Sequence, residues 1–224
     1  MRNPAKIFCI GFNKTGTSSL AKLFEGLGYK VAQQYPGELL ARNCSKGDYQ
    51  PLFDFVRQEG QFFQDVPFSM MGVFIPLAEE FPDSKFILSI RDDASVWYTS
   101  LVEYHSALFG AGSVPTSEDL KSATYGHKGW LYELMKLLFD TPDHDLYNRE
   151  ILTGKYNQHI DEVKSYFDHQ PERLLVINLK SEDAPDRISD FLGLEKRIKG
   201  IPHANSNQTI LHKLYRRVFL NFKS

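Results

Sequence analysis

The chain has 224 residues, of which 42% are hydrophobic and 24% charged, so it can bury one sizeable core and we expect a single domain over residues 1–224. A net charge of −2 argues against a broad electrostatic attraction to nucleic acid or to an anionic membrane. Cys9 and Cys44 are too few for a disulfide framework, and the N-terminal residues contain no apolar stretch of a signal peptide or membrane span. We therefore expect a cytoplasmic protein without an integral membrane segment.

The most informative stretch is residues 7–20, IFCIGFNKTGTSSL. Its first four residues form a continuous apolar run, which predicts a strand buried on both faces of a parallel sheet. Gly11 and Gly16 then permit tight turns, and we expect a helix to begin at about Thr17 or Ser18. The unpaired N–H groups and the positive dipole end of that helix predict an anion site of phosphate size.

The spacing of this loop differs from that of a nucleoside triphosphatase loop. The count from Gly11 to Gly16 fits G-x-x-x-x-G-K-[ST], but the next residue is Thr17 instead of lysine. The lysine lies earlier, at Lys14, where its side chain can approach the bridging oxygen of a bound phosphoanhydride, which suits group transfer. The alternative interpretation is a helix start at which Lys14 is solvated and the hydroxyl side chains only cap.

The segment GFNKTGTSSL resembles the 5′-phosphosulfate loop of sulfotransferases, enzymes that use 3′-phosphoadenosine 5′-phosphosulfate (PAPS) as sulfuryl donor. This resemblance implies a P-loop-like α/β domain of three layers, in which helices flank a central, mostly parallel sheet. It also implies adenosine 3′,5′-bisphosphate as product, no metal, and a small-molecule or glycan acceptor with a hydroxyl or amine. Donor contacts would come from Asn13, Lys14, Thr15, Gly16, Thr17, Ser18 and Ser19, with Lys14 also catalytic.

Several short elements follow the loop. Apolar residues at helical spacing over 20–27 predict a helix with Gly28 just after its end, and residues 29–32 predict a second strand. Helices are expected over 38–44 and 49–58, and a further helix is expected to have Pro76 in its first turn. A strand through Phe62 and Phe63 would place Asp65 at its carboxyl end, the edge at which doubly wound sheets bind ligands.

Asp65 is the candidate general base. Cytosolic sulfotransferases have a catalytic histidine in a Thr-His-Leu-Pro context, and the Gln-Asp-Val-Pro segment that contains Asp65 resembles that place. An aspartate has an unperturbed pKa near ~3.9, so desolvation or hydrogen bonding would have to raise the pKa for this role. The alternative is an aspartate that caps a helix or stabilises a turn.

Residues 85–90 predict a third buried strand that leads directly into Arg91. This segment resembles the 3′-phosphate element of sulfotransferases, a strand ending in arginine followed by a serine one or two helical turns later. Counting residues gives Thr99, whereas alignment of Trp-Tyr-x-Ser gives Ser100, which we prefer. Arginine suits this role because its planar fork can bind phosphate bidentately. The alternative is an Arg91 that pairs with Asp92 or Asp93 at the surface.

The second half of the chain has fewer signals. Residues 103–128 lack clear periodicity, and we expect an irregular lid or loop that shapes the acceptor site. Helices are predicted over residues 130–139, 160–167 and 186–194. The first of these is expected to belong to the core or to a dimer face, and Gly193 is expected to end the third. Residues 174–179 predict a fourth strand. His159 and His169 are expected on a solvated surface. Lys199 resembles part of a late loop that closes over the 3′-phosphate, and a closing helix is expected over 211–222.

The leading functional hypothesis is therefore a PAPS-dependent sulfotransferase. A P-loop kinase would require Mg²⁺ and a lysine after Gly16, and a non-catalytic module would bind nucleotide without turnover. An apolar acceptor pocket would draw on the aromatic residues Phe62, Phe63, Phe68, Tyr104 and Phe109, which are equally suited to the core.

Overall fold

The computed structural model describes residues 6–204. Its strands are β1 (Ile7–Cys9), β2 (Phe62–Gln64), β3 (Lys85–Ile90), β4 (Thr124–Tyr125), β5 (His127–Lys128) and β6 (Leu174–Asn178). Its α-helices are α1 (Thr17–Gly26), α2 (Gln34–Glu38), α3 (Ala41–Cys44), α4 (Gln50–Glu59), α5 (Phe74–Glu80), α6 (Ala94–Phe109), α7 (Ser117–Ser122), α8 (Trp130–Phe139), α9 (Arg149–Tyr166) and α10 (Ala184–Leu192). The predicted closing helix at 211–222 lies outside the described residues.

The central sheet has four parallel strands in the order β2-β1-β3-β6. Phe8 of β1 lies opposite Phe63 and Phe86 on the neighbouring strands. Side chains alternate between the two faces of a strand, and here both faces are buried: Phe8 belongs to one apolar cluster, and Ile7 and Cys9 belong to another. The short apolar strands seen in the sequence are therefore those of a parallel sheet covered on both sides.

Helices cover each face of this sheet. On one face, apolar residues of α1 and α10 pack against Ile7 and Cys9. On the other, α4, α5, α8 and α9 pack against Phe8 and Phe86. A third cluster joins α6, α7, α8 and α9 around the fully buried Trp97. The predicted fold class, a P-loop-like α/β domain with a parallel sheet between helices, is confirmed.

Two predictions for residues 29–44 are wrong in detail. The strand predicted over 29–32 is reduced to one bridge between Val31 and Phe62, because α2 begins at Gln34 and turns the chain away from the sheet. The helix predicted over 38–44 is divided into α2 and α3, and α2 begins four residues earlier than expected. The division places Glu38 at the end of α2, facing the interior.

The region 103–128 is more regular than predicted. Helix α6 continues to Phe109, α7 follows, and β4 and β5 form a small antiparallel hairpin. A reciprocal capping box starts α7: the Asp119 N–H donates to Thr116 Oγ1 (3.2 Å), and the Thr116 N–H donates to Asp119 Oδ2 (2.8 Å). The glycines of this region lie in the short connections, whereas Ser106, Ser117 and Ser122 lie within helices.

His159 is not at a solvated surface, contrary to the prediction. Its side chain is buried, stacks on Phe12 with ring centroids 4.6 Å apart, and donates from Nε2 to the carbonyl oxygen of Ile10 (2.8 Å). This bond satisfies a carbonyl at the end of β1, which explains why the imidazole is inside. His169 is exposed, as predicted.

Candidate active site

The four parallel strands end at one edge of the sheet, and a cavity of about 940 Å³ lies there. The phosphate loop follows β1, Asp65 follows β2, Arg91 follows β3, and residues 179–182 follow β6. All of these segments line the cavity. The arrangement follows from parallel topology, because carboxyl ends of neighbouring parallel strands lie side by side.

The loop between β1 and α1 depends on its two glycines. A Cβ on Gly11 would collide with the carbonyl oxygen of Ser89 on β3. Gly16 has a φ of 107°, and a Cβ there would lie 2.5 Å from Leu179 Cδ1. Lys14 also has a positive φ, 69°, so the chain turns sharply on both sides of Thr15. These turns direct the chain into α1, whose first N–H groups have no acceptor within the helix.

Thr15 fixes this loop to the sheet. Its N–H and its hydroxyl both donate to the carbonyl oxygen of Phe12 (3.3 and 2.6 Å), and its Oγ1 lies 2.6 Å from Ser89 Oγ. The side chain is buried. Thr15 also lines the cavity, so its predicted contact with the donor stays a prediction; its hydroxyl, engaged in these bonds, holds the loop in shape.

Arg91 connects the end of β3 to the loop. Its Nε donates to the carbonyl oxygen of Lys14 (2.6 Å), and its backbone N–H donates to the Tyr156 hydroxyl (2.8 Å). Burial lowers the pKa of the guanidinium. Asp92 accepts a hydrogen bond from β6 and Asp93 caps α6, and none of the salt bridges found within residues 6–204 involves Arg91. The surface pair considered from sequence is therefore not formed.

Asp65 lies in a partly buried position beside the loop, with its backbone in the left-handed region. It has a φ of 63°, and its Oδ1 accepts a hydrogen bond from the Val66 N–H (3.1 Å). Its Oδ2 accepts a bond from Gln34 Nε2 (3.3 Å). Burial raises the pKa of Asp65 to about 6, although the Val66 N–H and the Lys14 ammonium act in the opposite direction. A carboxyl group with this pKa can exchange a proton near neutral pH.

Comparison with known families adds to this geometry. A family model described as a sulfotransferase domain matches residues 6–210. The chain belongs to the sulfotransferase domain family. A search of curated proteins found no match. The match includes the loop, Asp65 and Arg91, so the cavity described above belongs to a sulfotransferase domain.

The remaining predicted donor residues of the sulfotransferase domain fall into two groups. The loop residues Asn13 to Ser19 and Ser100 of α6 all line the cavity, whereas Thr99 is exposed and is not part of its lining. Lys199 is also exposed and outside the lining, although residues 201–204 line the cavity. The Ala204 N–H donates to Ser19 Oγ (3.2 Å), which places this segment over the start of α1.

Sequence reasoning missed Glu38 and Tyr125. Glu38 has only 3% of its surface exposed, lines the cavity, and accepts a hydrogen bond from the Tyr125 hydroxyl (3.3 Å). Burial, and to a smaller degree the Asp65 carboxylate, raise the pKa of Glu38 to about 7. No sequence signal distinguishes Glu38 from an ordinary surface glutamate; only the position of α2 makes it an internal residue.

Tyr104 was considered only as a pocket-lining aromatic residue, but it contacts the loop lysine directly. The Lys14 Nζ lies 3.4 Å from the centroid of the Tyr104 ring. His105, the next residue of α6, also lines the cavity; its Nδ1 lies 2.8 Å from the Tyr147 hydroxyl, and burial lowers its pKa to about 3. His105 is therefore a neutral polar group at neutral pH.

Part of the apolar wall of the cavity comes from α8, and part comes from Ala107, Leu108 and Phe109 of α6. Helix α8 was predicted as core or a dimer face, and Leu131, Leu134 and Met135 are core residues. Four of its side chains, Leu131, Leu134, Met135 and Leu138, also line the cavity. Of the aromatic candidates, Tyr104 and Phe109 line it as well, whereas Phe62, Phe63 and Phe68 are buried in the core.

Within residues 6–204 the structure contains no group of three or more His, Cys, Asp or Glu side chains that could hold a metal ion. In the same part of the chain, no helix combines the length and apolar character needed to cross a membrane. Cys9 and Cys44 are both buried and unbridged.

Proposed function

We propose that this protein is a PAPS-dependent sulfotransferase that transfers a sulfuryl group to a hydroxyl or amine of an acceptor. The observation that carries this proposal is the hydrogen bond from Arg91 Nε to the carbonyl oxygen of Lys14. This bond joins the end of β3 to the loop, and Arg91, Lys14 and Asp65 line the same cavity; the two cations are those expected for the two ends of PAPS. The proposal also includes a cytoplasmic location. The two unbridged cysteines, Cys9 and Cys44, are consistent with it.

The lining residues fit the charges of PAPS. The start of α1 and the loop offer backbone N–H groups and the Lys14 ammonium for the 5′-phosphosulfate. Arg91 and the Ser100 hydroxyl would hold the 3′-phosphate, because a guanidinium and a neutral donor together match a phosphate monoester. When bound, PAPS supplies the sulfuryl group that the reaction transfers.

Three side chains would carry out distinct tasks. Asp65 would accept the proton of the acceptor hydroxyl or amine. Lys14 would leave the Tyr104 ring and neutralise the charge on the departing 5′-phosphate oxygen. Arg91 would keep the loop in position through its bond to the Lys14 carbonyl. Catalysis would rest on positioning and electrostatics, which act most strongly in a cavity shielded from water.

The donor can be tested by calorimetry. We expect adenosine 3′,5′-bisphosphate to bind equally well with and without a chelator, because Lys14 and backbone donors occupy the place that Mg²⁺ has in triphosphatases. If ATP bound more tightly than the bisphosphate, and bound only in the presence of Mg²⁺, the result would favour the P-loop kinase alternative.

Turnover can be tested with labelled PAPS and a panel of phenol, lipid, amine and sugar acceptors. Lys14→Ala should lower the transfer rate much more than it weakens donor binding, because its contact with the leaving oxygen is strongest in the transition state. Lys22→Ala, on the exposed face of α1, is the matched control and should leave both unchanged. A fully active Lys14→Ala protein would refute the mechanism, and tight donor binding without transfer to any acceptor would indicate a binding module.

A further inference from the structure

Helix α2 presents two polar side chains to the reaction centre. Gln34 and Glu38 are four residues apart and therefore lie on the same side of the helix. Gln34 donates to the Asp65 carboxylate (3.3 Å), so this side of α2 faces the candidate base. Both Gln34 and Glu38 line the cavity. Glu38 thus lies beside the place where the acceptor must approach Asp65.

The Glu38 carboxyl is buried with incomplete compensation. Only 3% of its surface is exposed, its hydrogen-bond donor is the Tyr125 hydroxyl, and no salt bridge found within residues 6–204 involves it. The indole N–H of Trp130 acts to lower the pKa of Glu38. This N–H is buried, and it has no hydrogen-bond partner of normal geometry within residues 6–204. A buried carboxylate without a cation is costly, and a cationic ligand would offset that cost.

Charged side chains from several segments line the cavity: Lys180 and Glu182 both follow β6, Glu103 lies on α6, and the others lie near the loop and α2. The loop and the end of β3 contribute the cations Lys14 and Arg91, which suit an anionic donor. The end of β2 and α2 contribute the carboxyl groups of Asp65 and Glu38. Next to these, α8 contributes an apolar wall that includes Leu134. A ligand that satisfies both features has a positive charge and an apolar body.

We propose that Glu38 determines acceptor specificity and that the acceptor carries a positively charged amine on an apolar body. The description of this ligand as the acceptor rests on the proposed sulfotransferase function. The ammonium group would pair with Glu38, and the apolar body would lie against α8. The ammonium is a recognition group and not the sulfated atom, because a protonated nitrogen has no lone pair with which to attack sulfur; a separate hydroxyl or neutral amine would face Asp65.

The test compares two ligands of equal length, hexylamine and 1-hexanol, by calorimetry with the full chain at pH 8 and without donor. At this pH Glu38, with a pKa of about 7, is mostly ionised, and an alkylamine with a pKa of about 10.4 remains protonated. We expect hexylammonium to bind at least about tenfold more tightly than hexanol, because only the ammonium forms a charge-assisted bond.

Glu38→Gln removes the charge and keeps the shape. It should weaken hexylammonium binding by about ten- to a hundredfold and leave hexanol binding nearly unchanged. Glu25→Gln, on the exposed side of α1, is the matched control. Leu134→Ala should weaken both ligands, because it removes part of the apolar wall.

The inference is overturned if hexanol binds as tightly as hexylammonium, if Glu38→Gln binds hexylammonium like the unaltered protein, or if neither ligand binds. The comparison of the two ligands on the unaltered protein stands even if Glu38→Gln fails to fold. None of these measurements uses PAPS or its product, so failure of the inference is distinguishable from failure of the proposed function, which the bisphosphate titration reports.

Discussion

The substitution Asp65→Asn tests two separate properties of Asp65, its effect on the stability of the fold and its proposed role as general base. Asparagine has the same shape as aspartate and tolerates the left-handed backbone, so the φ of 63° needs no adjustment. It removes the partly buried negative charge and the capacity to accept a proton. The matched control is Asp161→Asn, which makes the same change at an exposed position on α9.

The effect on stability follows from the pKa of the folded state. Asp65 has a pKa of about 6 in the folded protein against an ordinary value of 3.8, so the folded state binds the proton more tightly than the unfolded state. Folding is therefore penalised as pH rises from about 4 through about 6, by up to roughly 3 kcal/mol above pH 7. Partial solvent exposure of the side chain reduces this penalty, and we expect about 1–3 kcal/mol.

Thermal unfolding should show this penalty directly. Asp65→Asn should be more stable than the unaltered protein at pH 8, by roughly 2–12 °C in Tm for a domain of this size, and should differ little at pH 4. Asp161→Asn should behave like the unaltered protein at both pH values. If the Asp65→Asn variant were instead less stable than the unaltered protein at pH 8, the carboxylate would be shown to stabilise the fold. The reasoning from burial would then be wrong.

The same variant tests the role of Asp65 as general base. In the unaltered protein, kcat/KM for sulfuryl transfer should rise with pH through about 6, as Asp65 loses its proton, and then level off. Asp65→Asn should bind the bisphosphate with nearly unchanged affinity, lose roughly 10²–10⁴ in turnover, and no longer show this rise. Full turnover would remove the base assignment and leave the donor site standing.

Two further substitutions test the donor side. Thr15→Val removes the hydroxyl that bonds to the Phe12 carbonyl and to Ser89, so we expect a loss of about 1–3 kcal/mol in unfolding free energy; unchanged stability would contradict an anchoring role. Arg91→Lys keeps the charge but loses the planar fork and its bond to the Lys14 carbonyl, so calorimetry should show affinity for adenosine 3′,5′-bisphosphate falling by about ten- to a hundredfold. Adenosine 5′-phosphosulfate, which lacks the 3′-phosphate, should lose less; an equal loss would exclude a 3′-phosphate contact.

The side of the cavity that we propose for the donor could be predicted because it depends on strand ends. Once the apolar runs before Gly11, Asp65 and Arg91 were identified as parallel strands, topology required the three segments to meet at one edge. The sequence could not show how the segments are joined. The bond from Arg91 to the Lys14 carbonyl and the inward turn of Thr15 depend on backbone positions that periodicity does not specify.

The errors arose where local composition and tertiary packing disagreed. Gly, Ser and Thr over 103–128 suggested an irregular segment, but α6 continues because Leu101 and His105 are buried against neighbouring helices. The sequence TSED at Thr116 contained a capping-box signal that composition concealed. His159 was assigned to the surface because it falls on the polar side of the predicted helix, although a strand-end carbonyl supplied the partner that made burial possible.

The side of the cavity that we propose for the acceptor has a different origin, and this explains why it escaped prediction. Its walls come from the sides of α2, α6 and α8 and not from strand ends, so no topological rule brings their residues together. Periodicity assigns the apolar side of α8 to the core, and part of that side does serve the core, since Leu134 belongs to the main apolar cluster and also lines the cavity. Glu38 has no neighbour in sequence that marks it as internal. Under the proposed function, substitutions on these helix sides would change the acceptor and leave the loop between β1 and α1 unaltered, because a single carboxyl group such as Glu38 would set the charge that this side of the cavity accepts.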